Sequence, residues 1–514
     1  MQPGQRLKPD NMLQRAPTVW TGLLAFLCGA AMPLGFAPFG FYPLPVVALA
    51  ILASILYAAP PRAGLLMGGL FGLGQFGVGV SWVHISIHQY GNAGLILSLA
   101  TMLLLVLYLS LFPALMGWLV SRLSAASRIT IMLVVFPSAW TLTEWLRAWL
   151  FTGFPWLNLG YSQIDSPLLG YAPLLGIYGL GFITALSAGL LGCIASGAGR
   201  LRIAALASIG ALGLTGWALN QIHWTQERGE PLTATLVQGN IPQELKWKPE
   251  QQRETLERYV SLTNENADSD LIIWPETAVP AFYDQVDTDF LVPLRNSMRA
   301  KGISLVTGIP VLDRSQWDYY NAIISLDQPG RFYYKVHLVP FGEFLPLRDG
   351  LASVLSFLPV PQSDFKSGDL DQPLLVAAGY PIGASICYEI AFGEELIHTL
   401  PEAAFLINIS NDAWFGDSLA PHQHLEMARM RARETERDLL RATNTGISAV
   451  INADGRVVAR TAQFEMATVT RQVQPRSGAT PYVIWGNWPV VLLVAGLLLV
   501  VWRTGRKNDA EQAG

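Results

Sequence analysis

Three side chains in the second half of the chain have the types to serve as a nucleophile, a base and a cationic helper. Cys387 follows Gly383-Ala-Ser-Ile386, Glu276 closes Leu271-Ile-Ile-Trp-Pro-Glu276, and Lys335 closes Tyr333-Tyr-Lys335. A thiol attacks a carbonyl as its thiolate, so it needs a base or a nearby positive charge. Glu276 can supply the first and Lys335 the second. A lysine beside the thiol would lower its pKa and could donate to an oxyanion, with the Tyr388 amide as a second donor. A glutamate following a β-like run lies near a strand end, where sites on open α/β sheets gather. Spacing alone does not bring the three together.

The elements that must position them begin near residue 233, where short β-rich runs alternate with charged, helix-like stretches, the pattern of an α/β domain. Strands are expected at 234–239, 270–275, 303–308, 319–326, 332–336, 382–387, 404–409, 446–452 and 456–462, and helices at 249–266, 287–301, 393–399 and 420–441. Asp454-Gly455 between two β-like runs signals a hairpin. The last helix is rich in Arg and Glu, and its charges are expected to form a solvated face with short-range pairs. Leu351–Val360 is apolar but too short to span a bilayer. It fits either a segment that dips into the interface or covers a site, or an ordinary buried helix.

Around this domain the composition is that of an integral membrane protein. The 514 residues are 51% hydrophobic and 14% charged, against about a quarter charged in soluble domains. Seven apolar windows precede residue 221, at about 18–37, 41–59, 64–84, 93–119, 130–151, 168–195 and 202–220, and an eighth follows at 487–503. The first is read as a retained helix, because no small-x-small cleavage site follows it. Arg62, Arg122, Arg128, Arg200 and Arg202 all fall in alternate connections, while the intervening ones lack Lys and Arg. Basic loops stay cytoplasmic, which puts both termini inside and residues 221–486 outside. That segment holds 33 acidic and 22 basic residues, an acidic balance that argues against nucleic acid as a partner.

Cys28 and Cys193 lie in apolar windows and read as small hydrophobes, which leaves Cys387 as the one cysteine of the outward segment. Glu144 and Arg147, three apart in the fifth window, read as a structural ion pair near the outer end. His84 with His88, and His422 with His424, lack the further ligands a metal would need. Ser385 is not in a Gly-x-Ser-x-Gly elbow, so a serine hydrolase does not fit.

Trp-Pro-Glu276, Tyr-Tyr-Lys335 and Cys387-Tyr-Glu389 occur in the order of the Glu-Lys-Cys triad of the nitrilase superfamily. With Gln238-Gly-Asn-Ile-Pro-Gln243, Lys246-Trp247, Pro340–Pro346 and Asn408–Phe415, nearly the whole chain resembles the bacterial apolipoprotein N-acyltransferases, the membrane-bound branch of that superfamily. The resemblance implies an eight-span α-helical membrane domain plus an α/β nitrilase-like α-β-β-α sandwich. Its parts would be seven helices in 1–220, a periplasmic catalytic domain in 221–486, and a last helix with a cytoplasmic tail in 487–514 of an inner-membrane protein. It also implies transfer of an sn-1 acyl chain from a phospholipid such as phosphatidylethanolamine, through a Cys387 thioester, to the α-amine of an apolipoprotein's S-diacylglyceryl cysteine, without metal or cofactor. Glu276 would be the base and Lys335 the oxyanion donor, with Glu343 and Glu389 in support. Trp247, Tyr388 and Trp414 would line or gate the acyl path. The rival readings are a membrane-anchored amidase with water as acceptor, and a transporter or scaffold with paired ionisable residues along broken helices.

Overall fold

A computed structural model describes residues 18–344 and 364–513, apart from single residues at 58, 92, 125 and 198. The apolar segment 351–360 lies outside the described residues.

Residues 221–486 are built on two six-stranded sheets. The first has the order β13-β2-β3-β4-β5-β6, where β2 is Leu232–Gln238, β3 Leu271–Ile273, β4 Ser304–Asp313, β5 Asp318–Ser325, β6 Phe332–Tyr334 and β13 Ala467–Val473. The second has the order β12-β11-β10-β9-β8-β7, with β7 Leu375–Ala377, β8 Tyr380–Ile386, β9 Phe405–Ser410, β10 Leu439–Thr443, β11 Ala449–Ile451 and β12 Val457–Arg460. A two-stranded ribbon of β1 (Thr225–Glu227) and β14 (Arg476–Gly478) adjoins them.

Period-2 alternation explains how the sheets stack. Leu232, Ala234, Leu236, Leu271 and Ile273 point into one buried layer, where they meet Ile382, Ala384, Ile386, Phe405, Ile407 and Ile409 of the other sheet. The opposite face of the first sheet, with Val237, Ile272, Trp274 and Leu305, packs on helices Pro249–Asn264 and Val292–Lys301 through Tyr259, Leu262, Leu294 and Met298. Because β2-β3-β4 and β8-β9-β10 run parallel and are covered on both faces, they read in sequence as nearly unbroken apolar runs. The expected hairpin forms between β11 and β12, with Gly455 at φ +77°.

The last layer corrects the sequence reading of 420–441. The helix stops at Thr435, Glu436 turns the chain in a left-handed conformation (φ +46°), and the remaining residues become β10. Its charged residues are not solvated. Arg431, Arg433, Glu434, Glu436 and Arg437 are all buried. The helix lies between the second sheet and the membrane domain, and one apolar cluster joins Leu425, Met427 and Ala428 to Trp156, Tyr161 and Ile164. Arg431 pairs with Glu434 at 3.1 Å and sits 5.7 Å from the centre of the Tyr161 ring.

Among the described residues, five helices are long and apolar enough to cross a membrane: Leu95–Arg122, Arg128–Arg147, Pro167–Ala195, Gly199–Leu219 and Trp488–Arg506. The expected window 64–84 is instead a bent pair, Pro61–Gly79 and Val83–Tyr90, at 57°. The first two windows give the shorter apolar helices Val19–Gly35 and Pro43–Tyr57. At 1.5 Å per residue, the 15 residues of Pro43–Tyr57 extend about 22 Å, less than a hydrocarbon core of about 30 Å. Helices Pro61–Gly79 and Leu95–Arg122 touch at backbone range, since a Cβ on Gly68 would lie 2.1 Å from the Pro113 carbonyl oxygen. Cys28 and Cys193 are buried free thiols, as expected. Glu144 and Arg147 do pair, at 3.8 Å, and both are buried. Arg147 also donates to the carbonyls of Phe154 and Trp156 and to Asn158 Oδ1 at 2.6–2.7 Å, so it pins the loop after its own helix.

Candidate active site

The ends of three strands converge. β3 leads through Trp274 and Pro275 to Glu276, β6 leads directly to Lys335, and β8 leads directly to Cys387. Close approach at the first is allowed by Gly308 on β4, where a Cβ would lie 2.8 Å from Glu276 Cα. Cys387 has φ +53°, a left-handed conformation uncommon outside glycine, and opens the short 3-10 turn Cys387–Ala391. The turn swings the thiol off the strand.

All three side chains are buried, with Lys335 only 1% exposed. Burial pushes the Cys387 thiol up to about 12, and the Glu276 carboxylate adds to this. Lys335 and a hydrogen bond from Ser410 act in the opposite sense. Burial alone would lower the Lys335 ammonium. The charges of Glu343, Glu276 and Cys387 outweigh it and hold the lysine above its ordinary range. The three groups expected to act together therefore lie within one another's electrostatic field.

Glu343 is the direct partner of Lys335: Nζ lies 2.8 Å from Oε1 and 2.7 Å from Oε2. Asn321 Nδ2 bridges the two carboxylates, donating to Glu276 at 2.7 Å and to Glu343 at 3.3 Å. Glu389 does something different. One of its oxygens accepts the amides of Val336 (2.5 Å) and His337 (3.1 Å), just beyond Lys335. The other accepts the amide of Ile386 (2.5 Å) and the hydroxyl of Tyr333 (3.1 Å). It ties the lysine segment to the cysteine segment.

The aromatic residues separate by location. Tyr388 is buried, with its hydroxyl donating to the Gly153 carbonyl of the membrane domain at 3.1 Å and its ring stacked on Trp156 at 6.4 Å. Trp414 lies edge-on to Tyr90, and its carbonyl accepts from Ser86 Oγ at 2.6 Å, so it rests on the outer arm of the bent helix pair. Trp247 is 53% exposed.

Among known proteins, the chain matches the family model of the apolipoprotein N-acyltransferase N-terminal domain over residues 28–190 and that of carbon-nitrogen hydrolase over 233–482. It is 49% identical to the apolipoprotein N-acyltransferase of Methylococcus capsulatus, over 85% of this chain and 86% of that one. The chain belongs to the apolipoprotein N-acyltransferase family. The Nitrosomonas europaea member is 44% identical over 82% of this chain and 84% of its own. Among solved structures, Nit3 of Saccharomyces cerevisiae, a member of branch 10 of the nitrilase superfamily, covers 49% of this chain and 93% of its own at 20% identity and a TM-score of 0.37.

Several residues that bond to this cluster carried no sequence signal of doing so. Lys246 is buried, donates to the main-chain oxygen of Glu276 at 2.9 Å, and is pushed down to about 8 by burial, against the opposing charges of Glu276 and Cys387. It was visible only as part of a motif. Asn321 looked like any polar residue of a strand. His424 and Asp412 lie behind Cys387, with Nδ1 of His424 3.1 Å from Asp412 Oδ1 and Asp412 paired to Arg441 at 2.8 Å. Arg441 holds the Asp412 carboxyl well below the usual carboxylate range, although burial acts against it. His422, two residues earlier, faces Gln463 instead.

Proposed function

We propose that the protein moves an acyl chain from the sn-1 position of a phospholipid, phosphatidylethanolamine among them, to the α-amine of an S-diacylglyceryl cysteine at the N-terminus of an apolipoprotein. The observation that carries this reading is a buried thiol sharing one field with Glu276 and Lys335, in a domain whose outer helix layer is packed against membrane helices. A thiol pushed up to about 12 rests protonated at neutral pH, so it needs a base at the moment of attack.

In the first half-reaction Glu276 takes the thiol proton as sulfur bonds to the ester carbon. The oxyanion forms beside Lys335, which Glu343 keeps charged and oriented. The C–O bond then breaks, and the lysophospholipid leaves with the proton held by Glu276. In the second half-reaction the α-amine attacks the thioester and Glu276 takes its proton. The S–C bond breaks, and the thiol is restored as the amide departs. A thioester readily acylates an amine, so the sequence of bonds needs no energy source.

Trp247 and Trp414 line or gate the acyl path, and Glu389 keeps the Lys335 and Cys387 segments in register. Tyr388 supplies its amide to the site while its ring rests on the membrane domain. The alternation of basic connections supports eight crossings, counting the two short helices and the bent pair as spans. Both termini are then cytoplasmic, and residues 221–486 face the periplasm, beside the outer leaflet of the inner membrane.

Incubating the protein with phosphatidylethanolamine should add one acyl mass to Cys387, removable by hydroxylamine. An absent adduct, or an equal one on Cys387→Ala, refutes the mechanism.

A further inference from the structure

The carbonyl of the nucleophile is itself held. Nε2 of His424 lies 3.0 Å from the main-chain oxygen of Cys387. A carbonyl can only accept, so Nε2 carries a proton, while Nδ1 lies 2.9 Å from Arg441 Nη2 and 3.1 Å from Asp412 Oδ1. Arg441 is fixed in turn by Asp412, and Asp412 by Ser410 Oγ at 2.8 Å. His424 and Arg441 have no exposed surface, and the imidazole lies 5.6 Å from the Trp156 ring. The ring is held in one orientation, with Nε2 toward the Cys387 carbonyl.

This anchor acts on the peptide that follows the thiol. The Cys387–Tyr388 peptide is planar, so its C=O and its N–H point in opposite directions when it is trans. The Tyr388 N–H falls in the first turn of the 3-10 helix Cys387–Ala391, where amides have no acceptor within the helix. A residue at φ +53° holds its conformation only when its surroundings impose it. Drawing the carbonyl toward His424 turns the amide the other way.

We propose that His424 is a positioning residue for acyl transfer, whose Nε2–H anchors the Cys387 carbonyl and so aims the Tyr388 amide at the oxygen that becomes negative when the thiol attacks. The inference rests on the thioester reading above. In the step concerned the S–C bond forms, the carbonyl electron pair moves to oxygen, and that oxygen is met by Lys335 Nζ and the Tyr388 N–H. Collapse returns the pair and expels the alkoxide with the proton from Glu276.

The test compares two reactions of the same thiol in full-length protein in detergent micelles. Acylation by dioleoyl phosphatidylethanolamine needs an oxyanion site, whereas alkylation by iodoacetamide at pH 9 does not. His424→Phe should lose about ten- to a hundred-fold in the rate of Cys387 thioester formation, with its alkylation within about threefold of wild type. His424→Gln, which keeps a donor at similar reach, should restore most of the acylation. An equal fall in both reactions of His424→Phe would mean that the thiol itself had moved and would overturn the inference, as would wild-type acylation in that variant. Should His424→Phe not fold, His424→Gln decides alone: acylation within about threefold of wild type supports the inference, and a loss of tenfold or more overturns it. If wild-type protein forms no thioester, the parent reading fails first.

Discussion

Replacing Glu343 by Gln keeps the shape of the side chain and removes the charge that Lys335 faces at 2.7 Å. Lys335 is 1% exposed and the Glu343 side chain 14%, so little water is available to take over. Stripping one partner from a buried pair costs about 3–5 kcal/mol when the other stays charged. The lysine relieves that cost by giving up its proton more easily. The amide would also bring an N–H₂ group to an oxygen position that now accepts from Val339 N at 2.8 Å, if the carbonyl oxygen stays on Lys335. Both effects weaken the cation that meets the oxyanion, and the loss of one such donor is worth about 10²–10³ in rate. Thioester formation, followed by intact-protein mass spectrometry at early times, should fall by that factor. The pH profile supplies the sign. Glu343, Glu276 and Cys387 together hold Lys335 above its ordinary range, so removing the first lowers it, and the alkaline limb of the variant should move to lower pH. In a Lys335→Met background the same change should have almost no further effect. Wild-type rates in Glu343→Gln, or a full additional loss in the double variant, would refute the pairing argument.

With the Cys387 thiol pushed up to about 12, its alkylation by iodoacetamide should climb about tenfold per pH unit from 7 to 10. Glu276→Gln should speed it and Lys335→Met slow it, while a plateau below pH 9 would contradict the buried neutral thiol. Glu426 accepts from the Ala37 amide at 2.9 Å, and burial pushes it up to about 8. It ionises near 4.5 when unfolded but only near 8 when folded, so stability is lost as pH rises between the two. Glu426→Gln, which keeps an acceptor, should raise the apparent Tm more at pH 9 than at pH 5, and equal shifts would count against the assignment.

The parts of the fold legible from sequence were those whose environment is local. β8, β9 and the approach to Glu276 read as strands because parallel strands covered on both faces are apolar at every position. β13 was missed because Ala467–Val473 mixes Thr, Arg and Gln on an edge that is mostly half-exposed. The helix Ala420–Thr435 was recognised but placed on the wrong surface, since a run of Arg and Glu has the same composition whether it meets water or is paired beneath a second domain. Its overrun into β10 has the same origin: only the left-handed turn at Glu436 separates helix from strand, and a glutamate does not announce such a turn. Glu276, Lys335 and Cys387 stood out because each ends or follows an apolar run. Asn321, Lys246 and His424 act through residues 30–45 positions away in the chain, and no local pattern encodes that.

The helix Ala420–Thr435 closes the sandwich on one side and the membrane half on the other. A piece of chain cut out between the last of the first seven apolar helices and the final one would turn Arg431 and Glu434 away from Tyr161 and Ile177 and out into water. The same cut would bare Leu425, Met427 and Ala428, which now meet Trp156, Tyr161 and Ile164, so the exposed face would mix charge with apolar surface. The fragment would also have lost the Gly153 carbonyl and the Trp156 ring that seat Tyr388, the residue next to the nucleophile. A fragment that does nothing would thus be the natural result, and its silence would reflect a missing wall and not a wrong thiol.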